Sequence, residues 1–378
     1  MKSANELLIT QLNERKAAGL LRETKRIDDL IDFCSNDYLG LARSRELGDT
    51  VANNFTEWLG HQAQETPVNG STGSRLISGH TKLVELFETQ CASMHRAEAA
   101  LLFNSGYEAN VGLLAAIAQK DHVLFCDKLL HASLIDGLRL SSAERRIFKH
   151  NDLADLVHLL EQYPAETTKW VVVESIYSMD GDMAPLAELC ALRTKYRFEL
   201  IVDEAHAGGL FGQMGEGLAA SYPEIFARVV TFGKAWGHAG AVVLGSNVLK
   251  QYLINFARPF IYSTAPTPAH IQHLLVAMQF IQEAHGAREK LKYNIDFFRK
   301  NIQSSSWGAS ETAIQTFFVS GNQAVRSVAK AAQEAGFAVK PIVYPTVPKG
   351  KERIRITLTS QTKEETMLAL IQTLESHA

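Results

Sequence analysis

The stretch TFGKAWG sets Lys234 between Gly233 and Gly237, directly after the apolar run ARVV. Lysine is ordinarily a solvated surface residue, yet here small neighbours flank it at the end of a strand-like run. A second apolar run, ELIV, closes on Asp203, with His206 three residues later. NSGYEAN (104–110) follows a third run and opens a helical pattern, so its free backbone N–H groups suit a dianionic phosphate. His131, in DKLLHASL, follows a fourth strand end and can lie flat on a ring. Taken singly, each has an ordinary structural role: Lys234 in a solvated loop, Asp203 as a turn or helix cap, His206 and His131 as packed histidines. Taken together they match what an aldehyde cofactor such as pyridoxal phosphate requires. Those requirements are a lysine for a Schiff base, a carboxylate for the pyridinium nitrogen and a cradle for the phosphate. In that scheme His206 hydrogen-bonds the ring hydroxyl.

These residues need a scaffold that brings strand ends together. From about residue 99, short β-branched runs alternate with helical patterns: AALLFN, HVLFCD, RRIFKH, KWVVVES, ELIVDEAH and VVTFGK, with helices between. That alternation predicts a mostly parallel sheet covered on both faces. Ligands of such sheets bind beyond the C-terminal strand ends, where Asn104, Ser105, Gly106, Asp127, Glu174, Asp203, Thr231 and Lys234 all fall. Asn151 or Asp152 is expected to cap the helix that follows RRIFKH. The N-terminal MKSANELLITQLNERKAAGL predicts an amphipathic helix, and IDFCSNDYLGLA (31–42) a strand followed by a turn. GSTGSRLISGH (70–80) is a glycine- and serine-rich loop. Past RPFIYSTAPTP, long helical patterns and the strand-like TFFVSG and RIRITL predict a smaller α+β domain. The expected division is 1–48 as N-terminal helix and arm, 49–265 as the large domain, and 266–378 as the small one.

Composition excludes several classes. The 378 residues are 46% hydrophobic with a formal net charge of −3, so there is no basic footprint for nucleic acid and no polybasic membrane anchor. No stretch holds eighteen uninterrupted apolar residues, so no membrane span is expected. Cys34, Cys91, Cys126 and Cys190 lie far apart without CxxC or zinc-type spacing. They read as reduced thiols, and the expected setting is cytoplasmic, with no metal. DEAH (203–206) spells a helicase box, but no GxxxxGK[ST] accompanies it; the two Gly-Lys pairs continue as Ala235 and Glu352. GGLFGQMGEG (208–217) lacks the GxGxxG order of a dinucleotide site.

In order along the chain, FCSNDYLGLA, GSTGSRLISGH, NSGYEAN, HAS, ESIYSMDGDMAPL, VDEAHAGGLFG, TFGKAWG, YSTAPTP and RIRITLT resemble the α-oxoamine synthases. These are pyridoxal-phosphate enzymes of the aspartate-aminotransferase fold (fold type I), and the resemblance runs from about Arg22 to Thr359. It implies Lys234 as the Schiff-base lysine, Asp203 on the pyridine nitrogen, His206 and Ser178 at the ring hydroxyl, and His131 stacked on the ring. It assigns Gly106, Tyr107 and Thr231 to the phosphate, with Thr264 reaching it from the partner of a homodimer. Arg355 matches the arginine for the amino-acid carboxylate, and Arg22 and Thr346 match acyl-substrate positions. Trp236 and His238 stand where smaller residues are commoner in the family. GSTGSRLISG with SMDGDMAPL most resembles the branch that condenses L-alanine with a pimeloyl thioester and releases CO2. Sister branches use glycine with acetyl-CoA or succinyl-CoA, or serine with a long-chain acyl-CoA. A silent copy serving as a scaffold could dispense with Lys234.

Overall fold

A computed structural model describes residues 3–24 and 26–377. Its strands are β1 (Ile31–Asp32), β2 (Ala99–Phe103), β3 (Val123–Asp127), β4 (Glu144–Phe148), β5 (Lys169–Glu174) and β6 (Glu199–Asp203), followed by β7 (Ala227–Thr231) and β8 (Ala241–Gly245). The C-terminal part adds β9 (Ile314–Phe318), β10 (Phe337–Ala338), β11 (Lys340–Ile342) and β12 (Arg353–Thr357).

Seven strands form the central sheet in the order β2-β8-β7-β6-β5-β3-β4. All neighbours are parallel except at β8, which runs against both β2 and β7. Consecutive strand residues point to opposite faces, and here both faces are dry. Ala100 and Leu102 pack into one apolar cluster while Leu101 and Phe103 pack into another on the far side. This is the fold type I arrangement expected from the alternation of short apolar runs and helices. Helices on the two faces include Gly106–Ile117, Ala132–Leu140 and Leu186–Tyr196. Asp152 caps the helix Leu153–Leu160, its side chain accepting from Asp155 N. Because β2 and β7 are both reversed relative to their shared neighbour β8, they run the same way, and β2, β3, β5, β6 and β7 all end at one edge. A smaller antiparallel sheet, β11-β12-β9, lies in the C-terminal part.

Two local expectations fail. In IDFCSNDYLGLA the strand is only β1, two residues paired with β10. The Asp32 carboxylate accepts from Cys34 N (2.7 Å) and Ser35 N (3.0 Å), turning the chain out of extended geometry at once. Phe33 and Tyr38 are buried, so the apolar character that suggested a strand belongs to packed loop. The N-terminal helix forms over Ala4–Ala17 with a Ser3–Glu6 capping box, but none of its residues is buried. Leu7, Leu8 and Ile9 point in three directions, since successive helical residues lie about 100° apart. It is not amphipathic, and all three remain exposed.

Candidate active site

Lys234 occupies the turn between β7 and β8. The flanking glycines do different jobs. A Cβ on Gly237 (φ +66°) would sit 2.3 Å from Ala42 N, so this glycine lets the lysine turn lie directly on another stretch of backbone. A Cβ on Gly233 would meet nothing nearer than 3.8 Å, so only this side leaves room. Trp236 is fully buried against Phe232 (4.6 Å between ring centroids) and lies in the core. His238 stacks on His273 at 3.7 Å.

The strand-end carboxylates meet Lys234 at the sheet edge. Glu174 and Asp203 are register partners on β5 and β6, 2% and 4% exposed. Asp203 accepts from Asn110 Nδ2 at 2.7 Å and from Ala205 N at 2.8 Å. Glu174 accepts from His131 N, while burial and the like charge of Asp203 push its carboxyl up to about 8. Burial draws the Lys234 amine down to about 8 and the Arg355 charge adds to this, against the opposing pull of Asp203 and Glu174.

Buried His206 lies edge-on to Tyr38, with Nδ1 2.6 Å from the phenol oxygen. Burial, then the positive charges of Lys234 and Arg355, hold its pKa well below the ordinary value. Burial raises the Tyr38 phenol to about 12, so Tyr38 O–H donates to a neutral His206 and the remaining ring proton sits on Nε2. His131 is exposed and caps the helix Ala132–Leu140, its Nδ1 accepting from Ser133 N at 3.2 Å. Partial desolvation of the ring lowers its pKa; Asp203 opposes this and Lys234 reinforces it.

Beside the lysine turn, a cradle lies at the start of the helix Gly106–Ile117. Ser105 caps it through Glu108 N at 3.2 Å; the Gly106 and Tyr107 amides lie in the first turn, where no helical carbonyl is available. A Cβ on Gly106 would lie 2.4 Å from Thr231 Cγ2, so the two residues touch. Thr231 Oγ1 is buried and, among the described residues, has no hydrogen-bond partner. An orphan hydroxyl on a residue that touches Gly106, beside free amides, is what a phosphate group would satisfy.

Other expected residues are more scattered. The Tyr107 phenol donates to the Asp136 carboxylate, so only the Tyr107 backbone amide is expected at the cradle. The Ser178 carbonyl accepts from Arg355 Nε at 2.7 Å. Arg355 Nη1 also donates to Thr357 Oγ1 (3.0 Å) and Nη2 to Asn36 Oδ1 (2.9 Å). That uses three of five guanidinium hydrogens and leaves one on each Nη, enough for a bidentate carboxylate. Thr264 is exposed, its carbonyl accepting from Asn104 Nδ2 at 3.1 Å. Arg22 and Thr346 are exposed, and no side-chain hydrogen bond among the described residues links them to this cluster.

Asn36, Tyr38 and Asn110 are site residues beyond those expected from the sequence. Their signal was a polar residue inside an otherwise apolar pattern, as with Asn110 ahead of VGLL, where asparagine is a poor helix former.

The sequence profile of the family described as aminotransferase class I and II matches residues 28–374. The 8-amino-7-oxononanoate synthase of Haemophilus ducreyi is 38% identical, covering 90% of this chain and 90% of that one. The solved 8-amino-7-oxononanoate synthase of Francisella tularensis superposes with a TM-score of 0.76 at 27% identity, over 92% of this chain and 98% of that one. A serine palmitoyltransferase of Sphingomonas wittichii superposes with a TM-score of 0.87 at 25% identity, over 100% and 98%. With the matched profile spanning nearly its whole length, the chain belongs to the class I and II aminotransferase family, in the branch of the 8-amino-7-oxononanoate synthases.

Proposed function

We propose that the protein condenses L-alanine with a pimeloyl thioester, carried by CoA or by acyl carrier protein, giving 8-amino-7-oxononanoate, CO2 and free thiol. The carrying observation is the meeting of Lys234, Asp203 and Glu174 beside a cradle whose Thr231 hydroxyl has no partner among the described residues. The substrate pair is supported by the relatives of that name.

The cofactor is pyridoxal phosphate, the coenzyme of this family. When bound it supplies an electron sink for charge developing at the amino-acid Cα. Lys234 Nζ anchors it, Asp203 pairs with its ring nitrogen, and Ser178 and His206 face its ring hydroxyl. Gly106, Tyr107 (through its amide) and Thr231 hold its phosphate.

Arg355 binds the alanine carboxylate through its two uncommitted Nη hydrogens. With a pKa near 8, Lys234 is partly free amine at neutral pH, so Nζ takes the Cα proton and later returns one. Between those transfers Cα gains a bond to the acyl carbonyl carbon, the thiolate leaves and the carboxylate departs as CO2. His131 Nε2 donates a hydrogen bond to the thioester oxygen as charge builds there. Arg22 and Thr346 serve the acyl substrate.

The working form is a homodimer in which Thr264 of each protomer completes the other's phosphate site. Segments 1–48, 49–265 and 266–378 act as arm, cofactor domain and small domain. Four unpaired thiols agree with a cytoplasmic setting, and among the described residues no helix is long and apolar enough to cross a membrane.

The test is thiol release from pimeloyl-CoA with alanine, against glycine with acetyl-CoA and serine with palmitoyl-CoA. The high TM-score to the serine palmitoyltransferase makes the last pair the pertinent rival. One methyl distinguishes alanine from glycine by only about 1–3 kcal/mol, so measurable glycine turnover is expected too. A higher kcat/KM for either rival pair overturns the substrate assignment.

A further inference from the structure

Asn110, Ser133 and Asp203 are nearly sealed from solvent, at 2%, 1% and 4% exposure. Asn110 Nδ2 lies 2.7 Å from Asp203 Oδ2 and 2.9 Å from Ser133 Oγ. A carboxylate only accepts, so the NH2 end of the amide must face Asp203, and both of its hydrogens are committed. Ser133 Oγ, accepting from Asn110, has its own proton available for His131 Nδ1, 2.8 Å away. The Ser133 backbone N–H approaches the same nitrogen at 3.2 Å. Two donors therefore converge on Nδ1, and a neutral ring so placed carries its proton on Nε2.

We propose that Asn110 and Ser133 are positioning residues that fix His131 as the Nε2–H tautomer, so that the exposed Nε2 presents a donor to the thioester carbonyl. The inference rests on the condensation reading for what Nε2 meets, though the tautomer lock itself does not. The amide carries the orientation of a buried carboxylate through a hydroxyl to an imidazole at the mouth of the site. Protonating Nδ1 would displace both donors from it, so the same contacts keep the ring neutral. Loss of the Ser133 hydroxyl makes that protonation easier.

Nitrogen NMR of histidine-labelled holoenzyme reads the tautomer directly, with His131 assigned by the signal lost in His131→Gln. The expected wild-type ring has a bare Nδ1 and a protonated Nε2, and Ser133→Ala gives a mixture. In steady-state assays Ser133→Ala lowers kcat about tenfold, the worth of one neutral hydrogen bond, with KM for alanine unchanged. Its acid limb moves to higher pH. Ser133→Thr, which keeps the hydroxyl, restores both. Added to His131→Gln, Ser133→Ala causes no further loss, because it acts through that ring.

A wild-type proton on Nδ1 overturns the proposal, as does an equal loss from Ser133→Ala with and without His131. Should Ser133→Ala fail to fold, the wild-type spectrum and Ser133→Thr decide. If alanine and pimeloyl-CoA release no thiol, the substrate reading falls, while the ring-nitrogen spectrum still decides the lock.

Discussion

At the scale of single residues, the site works by moving proton affinities toward neutrality. Lys234 is drawn down and Glu174 pushed up, each to about 8, because both are buried and their neighbours carry mixed charge. A lysine at its ordinary pKa would be almost wholly ammonium at neutral pH and a poor base. Lys234→Ala should therefore lower turnover by at least about a thousandfold, since anchor and base are lost together. Stability should not fall with it: a lysine with a depressed pKa favours the unfolded state at every pH where it is charged, so Tm at pH 7 should hold or rise. Turnover near wild type in that variant would exclude Lys234 from the chemistry.

Elements make the site by ending together. The parallel strands β3, β5, β6 and β7 deliver Asp127, Glu174, Asp203 and Thr231 to one edge, where loops can join them. One such joint is His150, just beyond β4. Its Nδ1 lies 2.8 Å from Asp127 Oδ1 and its Nε2 2.5 Å from Asp182 Oδ2, clamping the segment that also carries Ser178. Burial opposes the imidazolium, but the hydrogen bonds and charges of the two carboxylates outweigh it and raise His150 to about 10. A raised histidine pKa stabilises the fold fully below the unfolded value of about 6.5, and that contribution is lost as pH climbs through 10. His150→Asn should cost about 2–4 kcal/mol near pH 6, with the gap narrowing as pH rises toward 10. Thermal melts of both proteins across that range give the answer. A gap independent of pH would mean the clamp is not charged.

At the scale of the whole molecule, the proposed site draws on two chains. Thr264 is exposed in the single chain, as are Leu7, Leu8, Ile77 and Tyr262. Exposed apolar side chains agree with a partner subunit, and with the proposed reach of Thr264 into the neighbouring site. Sedimentation at assay concentration should find a dimer, and Thr264→Ala should weaken cofactor retention without changing the mass. A fully active monomer would contradict the shared site.

How much of this was legible beforehand follows from the range of the forces involved. Short β-branched runs between helical patterns are local signals, and they determined the parallel sheet and the edge at which Lys234, Asp203 and Thr231 gather. The motif order was enough to point to family and cofactor. Sequence did not reveal that Gly237 serves a backbone contact with Ala42 while Gly233 leaves the open side. Nor did it reveal that β1 stops after two residues, which depends on where the Asp32 carboxylate turns. Pairings such as Tyr38 with His206, 168 positions apart, and Asn110 with Asp203, 93 apart, arise only when separate elements bury their polar groups against one another. A buried polar atom must find a partner, but which partner is decided by packing, and packing is a property of the tertiary structure alone.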